Sequence, residues 1–376
     1  MKFNSKNISI NAVLNQNSLF RFVFHSILSV LFYSVRMIVK LIPYKSQNIL
    51  IISLHRLGDT IFTIPAINEV YKKFGDRVII ICYPESVPIY KMIFTDLKMV
   101  EVKYDDFYFG KRIAKSRVRK KIKSIKPSIV LDITGSMISA SLIFNIRADK
   151  IVGTNGDQFK TIYDHFVKFR YSPQLKDIYL DAITPLIENV ERNSLTKNNI
   201  SINMEGKILI NPFAGWKEKE WNKKKFIELA RLLNKDFNVG IIVQKGQIDT
   251  DLIYEIDHQN IDLIQTKSVD ELIESIKNAS LFIGNDSGPV NIACFFGKPS
   301  LTLFGATNPD YVKTNFEYNV FLQKELGCSA RNNEKFCLIG GMIYQCSGIQ
   351  CMNLLSVEDV YNALLPLLNL YCKKKI

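Results

Sequence analysis

The sequence lacks several features that would decide its class at once. Its longest uncharged stretch near the N-terminus, Phe22 to Val35, has 14 residues and includes His25, Ser26, Ser29 and Ser34. A membrane-crossing helix needs about 20 predominantly apolar residues, so the pattern argues against a span. No small-residue cleavage signal follows, and the apolar run begins late for a secretory leader. No short tandem repeat is visible. The basic charge comes without a recognised nucleic-acid motif or an aromatic-basic platform. There is no CxxC pair either. Cys328, Cys337, Cys346 and Cys351 are separated by eight, eight and four residues, which matches no common zinc pattern. Free thiols in a loop are the favoured reading, with a metal site or a disulfide as the alternatives. Cys82 and Cys294 fall in predicted strand or helix, where a small buried side chain is the usual role, and Cys372 lies in the tail.

What the chain does have is apolar mass and positive charge. Its 376 residues suffice for two domains of ordinary size, and 47% are hydrophobic. Lys and Arg number 49 against 36 Asp and Glu, a formal charge of +13. That favours anionic partners such as phosphorylated substrates or acidic lipid surfaces. Residues 1–47 read as a polar N-terminus and an amphipathic helix, Leu19 to Pro43, with Arg21, Arg36 and Lys40 at its flanks. A helix lying in the membrane interface fits this pattern. A helix packed on the protein's own domain is the plainer alternative.

From Asn48 onward, β-branched apolar runs alternate with helical segments, the signature of a parallel sheet covered on both faces. Residues 48–187 form one such series: strands at Ile49–Ser53, Val78–Cys82, Ile129–Asp132 and Lys150–Gly153, a helix at Thr60–Phe74 and a basic helix at Lys111–Lys126. A polar linker, 188–206, separates it from a second series at 207–356. There strands are expected at Ile208–Asn211, Val239–Gln244, Ile261–Ile264 and Ser300–Phe304, and helices at Lys223–Leu233, Asp249–Asp257 and Val269–Asn278. The last segment, 357–376, carries an apolar helix that could return to brace the first domain. The expected architecture is α/β: two Rossmann-like domains facing across a cleft.

Three loops at strand ends carry unusual residues. In His55–Ala66, Gly58 permits a sharp turn and Asp59 opens a helix. Asp59 is either a helix cap or a general base, and Arg56 can hold an anion or pair with Asp59. In Asn211–Trp221, Ala214 and Gly215 allow close backbone approach, and Lys217 and Lys219 can neutralise a phosphate. Trp221 either wedges this loop against the next helix or stacks on a base. In Leu281–Pro309, Asp286, Ser287 and Gly288 lead into a helix with Pro289 in its first turn. Backbone N–H groups and a positive dipole end there suit a phosphate.

In this order and spacing, LGDTIFTIPA, NPFAGWKEKEW and GNDSGPVNIACFFGKPSLTLFGATNP resemble glycosyltransferase family 9, the heptosyltransferases of lipopolysaccharide core assembly. The likeness runs from about Asn48 to Val360. It implies a GT-B fold and a metal-independent, inverting transfer from a nucleotide-diphosphate sugar, typically ADP-heptose, with no further cofactor. Carried over residue by residue, it makes Asp59 the catalytic base. Lys219 holds the donor diphosphate beside the turn Ser287–Gly288–Pro289, and Asp286 contacts the donor sugar. Asn291 stands where many members have histidine, and it cannot become cationic. Polar residues common at the positions of Ala214 and Gly215 are absent. The acceptor implied is an anionic glycolipid at the cytoplasmic face of the inner membrane. The alternatives are a relative using another nucleotide sugar for a surface glycan, and a nucleotide- or membrane-binding protein without catalysis.

Overall fold

Short runs of Ile, Leu and Val form the centre of each half of the chain in a computed structural model. It describes residues 18–42, 45–109, 112–168, 174–192, 202–247, 253, 256, 261–314, 316–330, 334–337, 346 and 348–375. In the first half lie β1 (Asn48–Ser53), β2 (Val78–Cys82) and β3 (Lys98–Glu101). A hairpin of β4 (Phe107–Tyr108) and β5 (Ile113–Ala114) follows, then β6 (Pro127–Asp132), β7 (Lys150–Asn155) and β8 (His165–Lys168). Six of these make a parallel sheet in the order β3-β2-β1-β6-β7-β8. In the second half are β9 (Ile208–Asn211), β10 (Val239–Gln244), β11 (Asp262–Thr266), β12 (Leu281–Asn285), β13 (Ser300–Phe304) and β14 (Asn319–Gln323). They form a second parallel sheet, β11-β10-β9-β12-β13-β14.

Both orders reverse direction beside the first strand of the sheet. In such doubly wound sheets, ligands bind outside the carboxyl ends of the strands at that reversal. In the second sheet the position lies beyond Asn211 and Asn285. The inner strands are buried on both faces, which is why they read as unbroken apolar runs: Ile49 to Ile52 are at most 1% exposed, and Leu281 to Ile283 fully buried.

The chain divides into two compact units. One holds Met1–Arg56, Thr63–Arg170 and Lys176–Arg192; the other holds Leu57–Phe62, Tyr171–Leu175 and Asn193–Ile376. The expected linker, 188–206, is divided between them, and its residues 193–201 lie outside the described ones. The polar residues 1–17, Pro43, Lys111 and most of the expected helix 249–257 lie outside them as well.

Two expectations need correction. The helix expected from Thr60 begins at Leu57, with Arg56 in the cap position, so Asp59 is the third residue of its first turn and not its cap. The basic helix runs only from Ser116 to Lys123. Ile113 and Ala114 have helical spacing to Val118 and Ile122, but they pair with Tyr108 and Phe107 across the hairpin. The C-terminal helix, Val357–Tyr371, groups with the second unit. Its Val360, Leu364, Leu367 and Leu368 are buried in the second unit's core with Phe226, Leu229 and Leu301.

The N-terminal helix, Ser18–Lys40, packs one face on the first unit. Phe32 is buried there, stacked on Phe144 at 4.2 Å. Arg36 is buried too; its guanidinium donates to Ile146 O at 3.1 Å and to Asp164 Oδ2 at 2.8 Å. The opposite face exposes Leu19, Phe22, Ile27, Val30, Leu31 and Ile38. By length and composition Leu19–Lys40 could cross a membrane, which the uncharged run alone had not suggested.

Burial works against the charge of Asp164, but Lys40, the Ile151 N–H and Arg36 outweigh it and hold the pKa below its ordinary 3.8. A depressed carboxyl pKa stabilises the fold above the unfolded value and loses that contribution as pH falls through the folded one. Asp164→Asn should therefore cost about 2 kcal/mol at pH 7, the scale of lost charge-assisted hydrogen bonds. The difference from wild type should shrink below about pH 3.8. Urea unfolding at pH 7 and pH 3 measures both.

Candidate active site

The second sheet builds its site from the ends of three strands. Asn211 closes β9 and donates through its amide to Ile242 O at 2.9 Å, anchoring the strand end. The loop that follows returns under the control of Asn285, the last residue of β12. The Asn285 amide donates to Pro212 O at 3.0 Å, and its oxygen accepts from Trp221 N at 3.0 Å. One side chain thus holds both ends of the loop. Glu220 ties its middle by accepting from Ala214 N at 3.0 Å. Trp221 is fully buried, edge-on to Phe226, and its indole N–H donates to Leu355 O at 3.0 Å. It is the wedge, not a stacking platform.

The loop is thereby shaped to deliver Lys219. Its ammonium lies 2.5 Å from Asp286 Oδ2 and 4.6 Å from the Trp216 ring centre. Asp286 is only 5% exposed. The same Oδ2 accepts from Thr307 Oγ1 at 2.6 Å. Thr307 belongs to the loop after β13, which Gln323 fixes by donating to Gly305 O and Thr307 O at 2.8 and 3.0 Å. Lys217 lies in the same short turn as Lys219 but is exposed.

After Asp286 the chain enters the helix Gly288–Phe295, with Ser287 at its cap and Pro289 in its first turn. The Ser287 hydroxyl is buried and has no hydrogen-bond partner among the described residues. Gly288 touches Gly58: a Cβ on Gly58 would stand 3.1 Å from Gly288 Cα and 3.1 Å from Asn291 Nδ2. Two helix starts therefore meet backbone to backbone, and a side chain at Gly58 would push its neighbours back by a few tenths of an ångström. Asp59 follows at once, half-buried, on the segment Leu57–Phe62 that groups with this unit. Its charge reaches Tyr311, whose phenol is pushed up to about 12 by burial first and by Asp59 second. Arg56, just before this segment, is exposed.

Asp286, Lys219, Ser287, Gly288, Asn291 and Gly58 thus lie in one region. Asn285, Thr307, Trp216 and Tyr311 had not been singled out. A polar residue ending an otherwise apolar buried strand was the available signal for Asn285. The other three carry no mark beyond position in a loop. Cys82, Cys294, Cys328, Cys346, Cys351 and Cys372 are free thiols. Burial raises the pKa of Cys351, and the nearby thiols of Cys337, Cys346 and Cys328 add to the effect. Among the described residues no cluster of three or more His, Cys, Asp or Glu is placed to hold a metal ion.

Residues 116–338 match the model of glycosyltransferase family 9 (heptosyltransferase), and the chain belongs to that family. A stretch of 141 residues is 33% identical to lipopolysaccharide heptosyltransferase 1 of Campylobacter coli, covering 35% of this chain and 38% of that protein. Among solved structures, the fold matches the family 9 glycosyltransferase of Veillonella parvula at a TM-score of 0.64 and 16% identity, over 86% of this chain and 97% of that one. It matches E. coli ADP-heptose lps heptosyltransferase II at a TM-score of 0.62 and 14% identity, over 86% and 98%. The architecture is GT-B.

Breaking a buried ion pair from one side strands the other charge, at about 3 kcal/mol or more. Lys219→Met should cost near that lower figure, since Thr307 still donates to Asp286. Adding Asp286→Asn should recover part of the loss in a double-mutant cycle followed by urea unfolding.

Proposed function

We propose that this chain is an inverting, metal-independent glycosyltransferase that moves a sugar, in first place heptose from ADP-heptose, onto a lipopolysaccharide core acceptor at the cytoplasmic face of the membrane. On this reading residues 207–356 bind the donor and residues 48–187 the acceptor. The observation that carries it is the cluster of Asp59, Lys219, Asp286 and the free Ser287 hydroxyl at the strand ends of the second sheet. Family membership supports the reaction class, and the name of the E. coli relative supports the donor.

Asp59 takes the proton of the acceptor hydroxyl as that oxygen attacks the anomeric carbon. The bond from that carbon to the diphosphate breaks, and its electrons leave with the diphosphate. Lys219 and the backbone N–H groups after Ser287 meet the growing negative charge, and Asp286 and Asn291 face the sugar. Gly58 lets the base approach this turn closely. Arg56 and Lys217, both exposed, serve as outer contacts for acceptor or phosphate. General-base catalysis contributes about 10²–10⁴-fold. Asp59→Asn should therefore lower turnover by at least about a hundredfold, while donor binding stays near wild type. Near-normal turnover would remove Asp59 from the role.

Asn291 supports a second reading, in which the donor is another nucleotide sugar. Melting-temperature shifts with ADP-heptose, UDP-sugars and GDP-sugars separate the two, because a ligand at 100 times its Kd adds about 2.7 kcal/mol. No shift with any of them would favour a non-catalytic partner.

The N-terminal helix is the membrane contact in this proposal. Its exposed apolar face inserts at the headgroup level, and the cations of Ser116–Lys123 add attraction to anionic lipid. Sedimentation with vesicles should show binding that rises with anionic lipid content. It should fall steeply in the double variant Ile27→Asp, Leu31→Asp. Binding indifferent to both would refute the contact.

A further inference from the structure

The segment 334–337 is held against the loop after β13. Asn308 N donates to Lys335 O at 3.1 Å, the Asn308 amide donates to Glu334 O at 2.9 Å, and Cys337 N donates to Ala306 O at 2.9 Å. Thr307 and Phe336 form an antiparallel bridge. Thr307 is also the residue whose hydroxyl holds Asp286. One loop therefore fixes both the carboxylate and Lys335.

The Lys335 ammonium lies 4.8 Å from the Tyr311 ring centre and 5.3 Å from that of Phe336. Phe336 in turn meets Trp216 at 5.4 Å, and the Lys219 ammonium caps Trp216 at 4.6 Å. Two lysines thus stand along one row of aromatic rings, Tyr311, Phe336 and Trp216. Lys335 is exposed as a whole, but its titrating end is partly desolvated. Burial lowers its pKa first; the charge of Lys219 lowers it further, while those of Asp59 and Asp286 raise it. Two ammonium groups that feel each other are unfavourable neighbours unless an anion joins them. A diphosphate carries enough negative charge to pair with both.

We propose that Lys335 is a second diphosphate-binding residue, gripping the nucleoside diphosphate together with Lys219 and stabilising it as it leaves. The proposal rests on the donor-site reading above. In the transfer, the anomeric carbon gains the bond to the acceptor oxygen and loses the bond to the diphosphate oxygen. Lys335 lies where it can meet the electron pair that this oxygen keeps, with no proton transfer of its own required. The aromatic rings hold the long side chain in one direction, which limits the entropy lost on binding.

The test is calorimetric titration of the full chain with ADP and AMP, repeated with UDP and UMP and with GDP and GMP, for wild type, Lys335→Ala, Lys335→Gln and Lys335→Arg. Melting temperatures within a degree or two of wild type check that the variants fold. In the nucleotide that wild type binds, Lys335→Ala and Lys335→Gln should weaken the diphosphate by about tenfold or more. The monophosphate should change little, and Lys335→Arg should keep most of the affinity. Diphosphate affinity within about twofold of wild type would overturn the role of Lys335 while leaving the donor site in place. Equal weakening of mono- and diphosphate would also overturn it, pointing to a contact with the nucleoside or to altered packing. If wild type binds no nucleoside diphosphate at all, both this proposal and the donor-site reading fall.

Discussion

Asp286 is a carboxylate almost out of water, and the arrangement of the second unit's loops follows from keeping it satisfied. A buried, unpaired carboxylate costs several kcal/mol, so its oxygens must find donors. They come from two directions: Lys219 from the loop after β9, and Thr307 from the loop after β13. The neighbouring Asn285 binds the backbone at both ends of the first loop. Two adjacent residues at the end of one strand therefore tie three loops into a fixed shape. The segment bearing Lys335 then hangs on the third of these through backbone hydrogen bonds.

That dependence explains what could be read from the sequence. Central strands are legible because both faces are buried: β9, β10 and β13 were bounded as Ile208–Asn211, Val239–Gln244 and Ser300–Phe304 by their apolar runs. Among the edge strands, β11 was anticipated as Ile261–Ile264, but β3, β8 and β14 were not. β3 and β8 are exposed at both ends and mix Lys, Glu and His with apolar residues, so they lack both the unbroken run and the clean alternation. The helix Met137–Ile143 was missed for the opposite reason: almost all of it is buried, and no polar face marks its period. Ile113 and Ala114 misled because helical spacing says nothing of a partner strand just upstream, at Phe107–Tyr108.

The site divides along the same line. Gly58, Asp59, Lys219 and the turn Asp286–Gly288 lie directly at strand ends and helix starts, where a motif has a local geometry. Trp216, Tyr311 and Lys335 depend on long-range placement. Lys335 lies in an irregular stretch whose position is set by hydrogen bonds to residues 306 and 308. Nothing in its own neighbourhood of the sequence announces an anion. The two tryptophans show the distinction well. Trp221 packs in the core, as a residue leading into an amphipathic helix does, while Trp216, five positions earlier, lies between Lys219 and Phe336.

The N-terminal helix poses a contest that magnitudes can decide. Length and composition admit a membrane span. Its exposed face is a continuous apolar surface of the kind that marks an interaction site. Arg36 lies within one turn of the helix end, so in a span its charge could reach toward the interface, and the charge alone would not forbid insertion. The ion pair would. To span, the helix must leave the first unit, abandoning Asp164 and exposing the seat of Phe32. Losing the charge-assisted bonds to Asp164 costs about 2 kcal/mol, and uncovering Phe32 adds about 1.5–3 kcal/mol. On the proposed membrane contact, lying flat incurs neither cost and would still bury Phe22, Ile27 and Leu31 against lipid. On that proposal the packed face and the apolar face satisfy different solvents at once, and Arg36 keeps its partner Asp164.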